Sequence, residues 1–452
     1  MQQTQKTKGE TKACKRLNAI GSSKPVWDAL VARLLSRGLL DASFISGPDN
    51  GLAGLSQAEL VDCVKRAVHG PVSWRPVGTE DTFEPRVTRS LVVHTHPSGD
   101  NTPIFDVKAV PDGRHLLVHS GHTLECWDMQ TGTKIWNSPQ SATLWRLGDF
   151  AFEQQEVGTL NFEVFELDIR GAAVAARQLC WFEIQHVPWT VKIASFCGSL
   201  IAFTFNEAYS RMFLVDWRGS AGIVLFLNDS YKQREVALTQ EFLVLALTRD
   251  SGSIQLRVVN LASEIIQRMV PIHQRTMLTR EVPDYGVSVL DPAVPTQKVA
   301  RGRPDGSDVI MQRLAVFPSV LSDEAHRIWL VIVELEPLGV VPSASKLHGF
   351  SLSSTSKSTG MKPQLGVLGV KTTLPPRHSN LASSNWMVTS SGHQCIRTQT
   401  MPDAPGACCI LHPEGATGTF NFLPRGRPIM SSTASSACIH VEDETITVLY
   451  FD

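Results

Sequence analysis

The stretch from Phe105 to Trp136, FDVKAVPDGRHLLVHSGHTLECWDMQTGTKIW, decides how the rest of the chain is read. It opens with a strand and turns at Pro111-Asp112-Gly113. A second strand follows, then a polar break, then a strand ending in Trp127-Asp128. A Thr131-Gly132 turn leads into a last strand ending at Trp136. Proline fixes φ and glycine supplies positive φ, so both turns have a physical cause. The whole is one four-stranded antiparallel meander. Its strand end, an apolar residue followed by Asp or Asn, recurs at Leu167-Asp168, Val215-Asp216 and Val259-Asn260, at intervals of 40, 48 and 44 residues. Four strands per unit at that period predict a WD-repeat-like β-propeller, because a single blade cannot cover both of its faces and must stack on its neighbours.

Working outward, short apolar runs separated by turn residues extend from about residue 86 to 452. Examples are Arg89–His94, Leu200–Phe205, Phe242–Leu247 and Thr445–Phe451. No helical periodicity interrupts them, which argues against an alternating α/β layout. Beyond about residue 270 the repeat blurs. Residues 291–310 and 341–365 are rich in Pro, Gly, Ser and Lys and read as long loops. Strand-like runs resume at Ile328–Leu335, Cys408–Leu411 and Cys438–Val441. The span and period favour seven blades, with six or eight also compatible. Residues 89–94 are expected to pair with the last blade and lock the ring, since an open edge is a liability.

Ahead of the repeats, residues 1–24 are polar and carry Lys6, Lys8, Lys12, Lys15 and Arg16, the composition of a disordered basic tail without a secretory signal. Residues 25–76 predict a helical segment. Trp27, Leu30, Val31, Leu34 and Leu35 make one apolar helix face, with Gly38 at its end. Ser56 and Glu59 have the spacing of a capping box that starts a second helix, with Leu60, Val61, Val64, Ala67 and Val68 on its apolar face and Gly70-Pro71 at its end.

The composition of the 452 residues is that of a neutral globular chain, 42% hydrophobic and 19% charged, with net charge −1 and pI about 6.9. This excludes a strongly basic nucleic-acid footprint. The nine cysteines include no CxxC pair, so they read as reduced thiols of a cytoplasmic or nuclear protein and not as a disulfide framework. The best candidate for a membrane span, Ile328 to Glu336, is broken by Glu334 and Glu336 and is too short to cross a membrane.

Three constellations bear on chemistry. His94, His96 and Asp106 resemble the metal motif of JAMM-type metalloproteases, but Asp106 lies one residue short of that spacing and no upstream glutamate base is evident. The segment Asp128–Trp136 resembles the tryptophan-docking repeat of quinoprotein dehydrogenases. It occurs once, so it reads as a hairpin whose Trp136 packs between blades. Asp112, Asp128, Asp168 and Asp216 recur at blade positions, where turn formation explains them more simply than acid–base catalysis. No GxSxG elbow, phosphate-binding glycine loop or HExxH motif is present. The reading therefore assigns no catalytic, cofactor-binding or metal residues and expects no cofactor.

One family resemblance spans residues 26–136. A Trp-bearing helix (Val26-Trp27-Asp28-Ala29-Leu30) precedes a helix with Glu59 to Arg66, then Gly70-Pro-Val-Ser-Trp74-Arg-Pro76, then Val107–Leu117 and Leu124–Asp128. In this order the segments resemble the region after the F-box in basidiomycete (fungal) F-box-type proteins with a propeller-like C-terminal half. The resemblance implies contact with a Skp-type adaptor of a cullin-RING ubiquitin ligase, and a propeller that recognises the substrate. The chain departs from the family pattern in lacking a Leu-Pro-x-Glu helix: residues 1–24 stand in that place, and residues 25–74 are either the linking helices or a divergent box. The expected function is a non-enzymatic protein-interaction module. The alternatives are a propeller scaffold without a ubiquitin link and a metal- or quinone-dependent propeller enzyme.

Overall fold

A computed structural model describes the helices, the strands and most tight turns between residues 21 and 451. It excludes residues 1–20, 41–50, 75–85, 96–103, 139–143, 278–287, 290–295, 301–308, 374–383, 389–394, 430–436 and shorter connecting segments, together with some side chains within strands. The basic tail expected over residues 1–24 thus falls almost wholly outside the described residues.

Helix α1 (Lys24–Ser36) carries Pro25 in its first turn, where the missing N–H costs nothing. Helix α2 (Gln57–His69) opens with the predicted capping box. The Ser56 hydroxyl accepts from the Glu59 N–H at 3.3 Å, and the Glu59 carboxylate accepts from the Ser56 N–H at 2.6 Å. These bonds hold the Glu59 carboxyl below its ordinary pKa. Gly70 closes the helix at φ 74°, a conformation that favours glycine. Val31, Leu34, Leu60, Val64 and Ala67 bury one shared core between the helices, extended by Leu39 and Leu40.

Among the described residues the other strands form a β-propeller of seven blades, each built on four antiparallel strands. Blade 1 comprises Ile104–Ala109, His115–Ser120, Thr123–Asp128 and Thr133–Asn137. Blade 2 comprises Leu144–Arg146, Ala151–Glu156, Gly158–Arg170 and Ala173–Val187. Blade 3 is Val191–Cys197, Leu200–Phe205, Arg211–Asp216 and Ala221–Phe226. Blade 4 is Tyr231–Leu238, Phe242–Arg249, Ile254–Asn260 and Thr296–Ala300. Blade 5 is Val309–Pro318, Ala325–Leu335, Pro342–Lys357 and Gly360–Thr373. Blade 6 is Ser384–Val388, Cys395–Met401, Ala404–Leu411 and Thr417–Leu423. Blade 7 takes Arg427–Ile429, Ala437–Glu442 and Thr445–Phe451 from the C-terminal end of the chain. Its outer strand is Val87–His94, which pairs antiparallel with Thr445–Phe451. The two ends of the repeat are thereby hydrogen-bonded together, as the sequence predicts.

Blade 4 shows why its second strand is continuously apolar. Phe242 to Leu247 are all fully buried. Side chains alternate across a strand, so Leu243, Leu245 and Leu247 enter a cluster with blade 3, and Phe242, Val244 and Ala246 enter one with blade 5. A strand covered on both faces has no polar side to present. Blades 7 and 1 share a third cluster, with Val93, Ile446 and Val448 packed against Val107, Leu116 and Val118. Each such buried side chain stabilises the fold by about 1.5–3 kcal/mol.

Two loop expectations are corrected. Most of residues 341–365 is a hairpin, Pro342–Lys357 with Gly360–Thr373. Its Ser and Lys residues made it read as a loop, yet Leu347, Phe350 and Leu352 are buried at 2% exposure or less. Gly349 belongs to strand packing: a Cβ there would stand 2.8 Å from the ring of Trp329, its cross-strand neighbour. Within 291–310, Thr296–Ala300 supplies the fourth strand of blade 4, and Val309 begins blade 5.

Candidate functional site

Strands alternate in direction, so the connections between strands 1 and 2 and between strands 3 and 4 emerge at one face of every blade. This is called the upper face below. The opposite face carries the connections between strands 2 and 3 and those between blades. Several of the former are tight, as from Ser120 to Thr123, Glu156 to Gly158, Met401 to Ala404 and Glu442 to Thr445.

The upper rim is set by a repeated backbone bond. In blades 1, 3 and 4 the residue after the terminal Asp or Asn donates its N–H to the residue before strand 2. The pairs are Met129 to Arg114 (2.8 Å), Trp217 to Ser199 (3.0 Å) and Leu261 to Glu241 (2.8 Å). Asp128, Asp216 and Asn260 stand opposite His115, Leu200 and Phe242, the first residues of strand 2. The periodic Asp or Asn of the sequence thus marks one structural position. Asp168 departs from it. It lies in strand 3 of blade 2, but the start of strand 2, Ala151, pairs with Val164, four residues earlier. Asp112 lies outside the described residues.

These acids hold the rim. Asp128 is buried, and one of its carboxylate oxygens accepts from Arg114 Nε at 3.1 Å and Nη2 at 2.6 Å. Asp216 accepts the Arg218 N–H at 3.2 Å, closing a turn over which the Arg218 guanidinium stacks, 5.0 Å from the Trp217 ring. Lower in blade 1, buried Glu125 accepts from Lys134 and from the Trp127 indole, both at 2.9 Å. Trp136 packs in a cluster with Phe165, Leu167, Ile169 and Val174 of blade 2, the inter-blade role expected of it.

Of the histidine constellation only His94 has a described side chain. His94 ends the outer strand of blade 7, with Nδ1 3.3 Å from the Thr445 hydroxyl. Asp106 belongs to strand 1 of blade 1, opposite His119, and its side chain lies outside the description, as does His96. Among the described residues no group of three His, Cys, Asp or Glu side chains converges as metal ligands. The Cys63 and Cys180 thiols are pushed above their ordinary pKa by burial, which lowers the fraction present as the reactive thiolate.

Additions to the basic blade start from the upper face. The hairpin of strands 3 and 4 in blade 2 continues beyond strand 2 as a ribbon, Phe165–Arg170 against Ala173–Gln178, with Glu166 and Arg177 ion-paired across it at 2.5 Å. In blade 5, Ser354–Lys357 and Gly360–Pro363 extend past Ala325 in the same way. In blade 4 the chain leaves strand 3 at Asn260 and crosses to other blades before returning at Thr296. Val270–Pro271 pairs with Ala221–Gly222 of blade 3, Arg275–Met277 runs parallel to Glu183–Gln185 of blade 2, and Ser288–Val289 runs parallel to Leu225–Phe226. Gly222 leaves room for this strap, since a Cβ there would meet Ile272 Cδ1 at 2.7 Å. The outer strand of blade 7 also enters from this face, with Val87 opposite Phe451. The sequence gives little warning of these features, because their Ser, Arg and Gly content resembles that of ordinary loops.

No family model matches the chain, and no curated protein matches it. Among solved structures, the WD40 domain of SCAP from fission yeast aligns at 9% identity and TM-score 0.35, over 81% of this chain and 96% of that one. A post-proline cleaving enzyme from Rickettsia typhi aligns at 9% identity and TM-score 0.36, over 75% of this chain and 47% of that one, so this chain spans about half of that enzyme's length. At these TM-scores neither alignment adds to the topology above, and what those names describe belongs to those proteins. No helix among the described residues is long and apolar enough to cross a membrane.

Proposed function

We propose that this chain is a non-enzymatic protein-interaction propeller whose upper face receives a protein partner. The observation that carries this reading is the common placement of the blade 2 ribbon, the blade 5 hairpin and the root of the blade 4 strap on one face of a ring whose ends are hydrogen-bonded together. A rigid scaffold that carries such additions holds binding residues at fixed separations. The test is proximity labelling in cells with the wild-type chain and with variants at Arg177 or Arg218. Loss of a reproducible set of labelled proteins, with unchanged thermal melting, supports the reading. Unchanged labelling by both variants, or stoichiometric metal with redox or hydrolytic turnover in the purified protein, overturns it.

In its finer form, the chain is a fungal F-box-type substrate receptor: α1 and α2 contact a Skp-type adaptor and the ring selects a protein for ubiquitination. Support comes from the order of the Trp27-bearing helix, the capped second helix and the first blade, and from Val26 and Val72 left exposed on the helical segment. Titration of the purified chain with a Skp-type adaptor decides it. Saturable binding supports receptor function, and no binding leaves the scaffold without a ubiquitin link.

A further inference from the structure

We propose that the outer edge of blade 5 takes up an extended, acidic segment of a protein partner as a fifth strand. The inference goes beyond the interaction reading and stands without it, because it concerns the periphery of the ring below the upper face. Gly360–Thr373 is strand 4 of blade 5 and ends its sheet on the outside. Among the described residues no strand pairs with its outer side. Blades 2 and 3 show what such an edge does in this molecule. Their outer strands carry added strands from the strap, Arg275–Met277 on Glu183–Gln185 and Val270–Pro271 on Ala221–Gly222. Among the described residues, the blade 5 strand is the longest outer strand without such an addition. It has 14 residues, against 8 for Val87–His94 and 7 for Thr417–Leu423.

The middle of this edge differs from its ends. Lys362, Pro363 and Lys371 stand at the ends, where charge and proline discourage a neighbouring strand. Gln364–Val370 carries neither. Val367 stands opposite Phe350 and Gly369 opposite Gly349, so Leu368 is the extra residue of a β-bulge. Val367 and Leu368 are 57% and 43% exposed, two large apolar side chains in succession on the surface. Gly366 and Gly369 flank them and leave the backbone open to close approach. An unpaired strand edge offers a row of N–H and C=O groups. A peptide that satisfies them gains backbone hydrogen bonds while its side chains meet the apolar pair. Charge selects the occupant. Residues 342–373 contain Lys346, Lys357, Lys362 and Lys371 and no Asp or Glu, in a chain of net charge −1. A second copy would bring two such lysine-only hairpins together, and like charges across paired strands repel. An acidic strand is attracted.

The experiment selects displayed random peptides of about ten residues on the immobilised full chain. Enriched peptides carry Asp or Glu around alternating apolar residues. Val367→Asp, at an exposed position where melting changes little, weakens a synthetic copy of the best peptide about ten-fold or more. Val92→Asp, on the outer strand of blade 7 and 51% exposed at the start, does not. Methylating alternate backbone nitrogens of the peptide, with its side chains kept, also weakens it about ten-fold, since a strand held by its backbone loses donors. Arg177→Ala and Arg218→Ala leave the peptide bound; loss in these variants instead would assign it to the upper face and overturn the inference. Failure to enrich peptides sensitive to Val367→Asp overturns it, as does indifference to backbone methylation. A wild-type dimer that Val367→Asp dissolves assigns the edge to a second copy and overturns it too.

Discussion

Replacing Asp128 by Asn tests whether the periodic acid of the blades holds the rim by charge. Asp128 is 1% exposed and both of its guanidinium contacts, at 3.1 and 2.6 Å, fall on one oxygen. Asn preserves the volume and removes the charge. The loss is that of charge-assisted hydrogen bonds, about 1.5–3 kcal/mol. The higher cost of stranding a buried charge does not apply, because the Arg114 side chain is 37% exposed and regains water. The expected destabilisation is therefore about 2 kcal/mol, measured by denaturant unfolding with unchanged m-value. Asp216→Asn is the internal control. Its carboxylate accepts the Arg218 backbone N–H in an exposed turn, which an amide oxygen does equally well, so the change stays within about 0.5 kcal/mol. Equal losses in the two variants, or a neutral Asp128→Asn, would refute the assignment of the same sequence signal to two different physical roles.

Four further outcomes follow from the packing. Val93→Asp places a charge opposite Ile446 in the blade 7–blade 1 core and destabilises the chain by several kcal/mol, seen as a large drop in denaturant midpoint, whereas the same change at exposed Val92 is mild. Gly349→Ala forces a Cβ to within 2.8 Å of the Trp329 ring and costs about 1–3 kcal/mol in chemical unfolding, with altered near-UV dichroism of the indole. Gly222→Val dislodges Ile272 and presses on the buried Phe213 ring, so protease cleavage within the strap quickens and the denaturant midpoint falls. His326, with its folded pKa depressed to about 4, contributes stability that is present above its unfolded value near 6.5 and is lost as pH falls toward 4. The loss is about 3 kcal/mol, and in His326→Phe the pH–stability curve is flatter across that window.

The legible part of this fold was the part that repeats. Strand 2 of blade 4 announces itself because burial on both faces forces a continuous apolar run from Phe242 to Leu247. The rim position of Asp128, Asp216 and Asn260 is legible because strand 3 stops with a polar residue at the same height in blades 1, 3 and 4. Asp168 matched the spacing for a different reason: strand 3 of blade 2 overruns the rim, and its interval of 40 residues was coincident with that extension. The Pro342–Thr373 hairpin was hidden because half of its residues face away from the core and tolerate Ser and Lys. The pairing of Val87–His94 with Thr445–Phe451 joins residues more than three hundred positions apart, and only the need to close the ring, not a local pattern, points to it.

The one-sided elaboration of the ring has a mechanical cause. Strand 4 is the outermost strand, so the connection leading into it lies at the rim's periphery and lengthens without disturbing the inner strands. Strand 3 of blade 2 runs on to Arg170 while the register of its inner part with Ala151–Glu156 is kept. Blade 4 goes further: it interposes a strap between strands 3 and 4 and still recovers the pairing of Ile254–Arg257 with Thr296–Ala300. Because Val87 enters blade 7 at the same face, the chain that carries α1 and α2 arrives where these extensions stand. A partner held by the helices and a partner held by the ribbons would therefore meet on one side of the molecule.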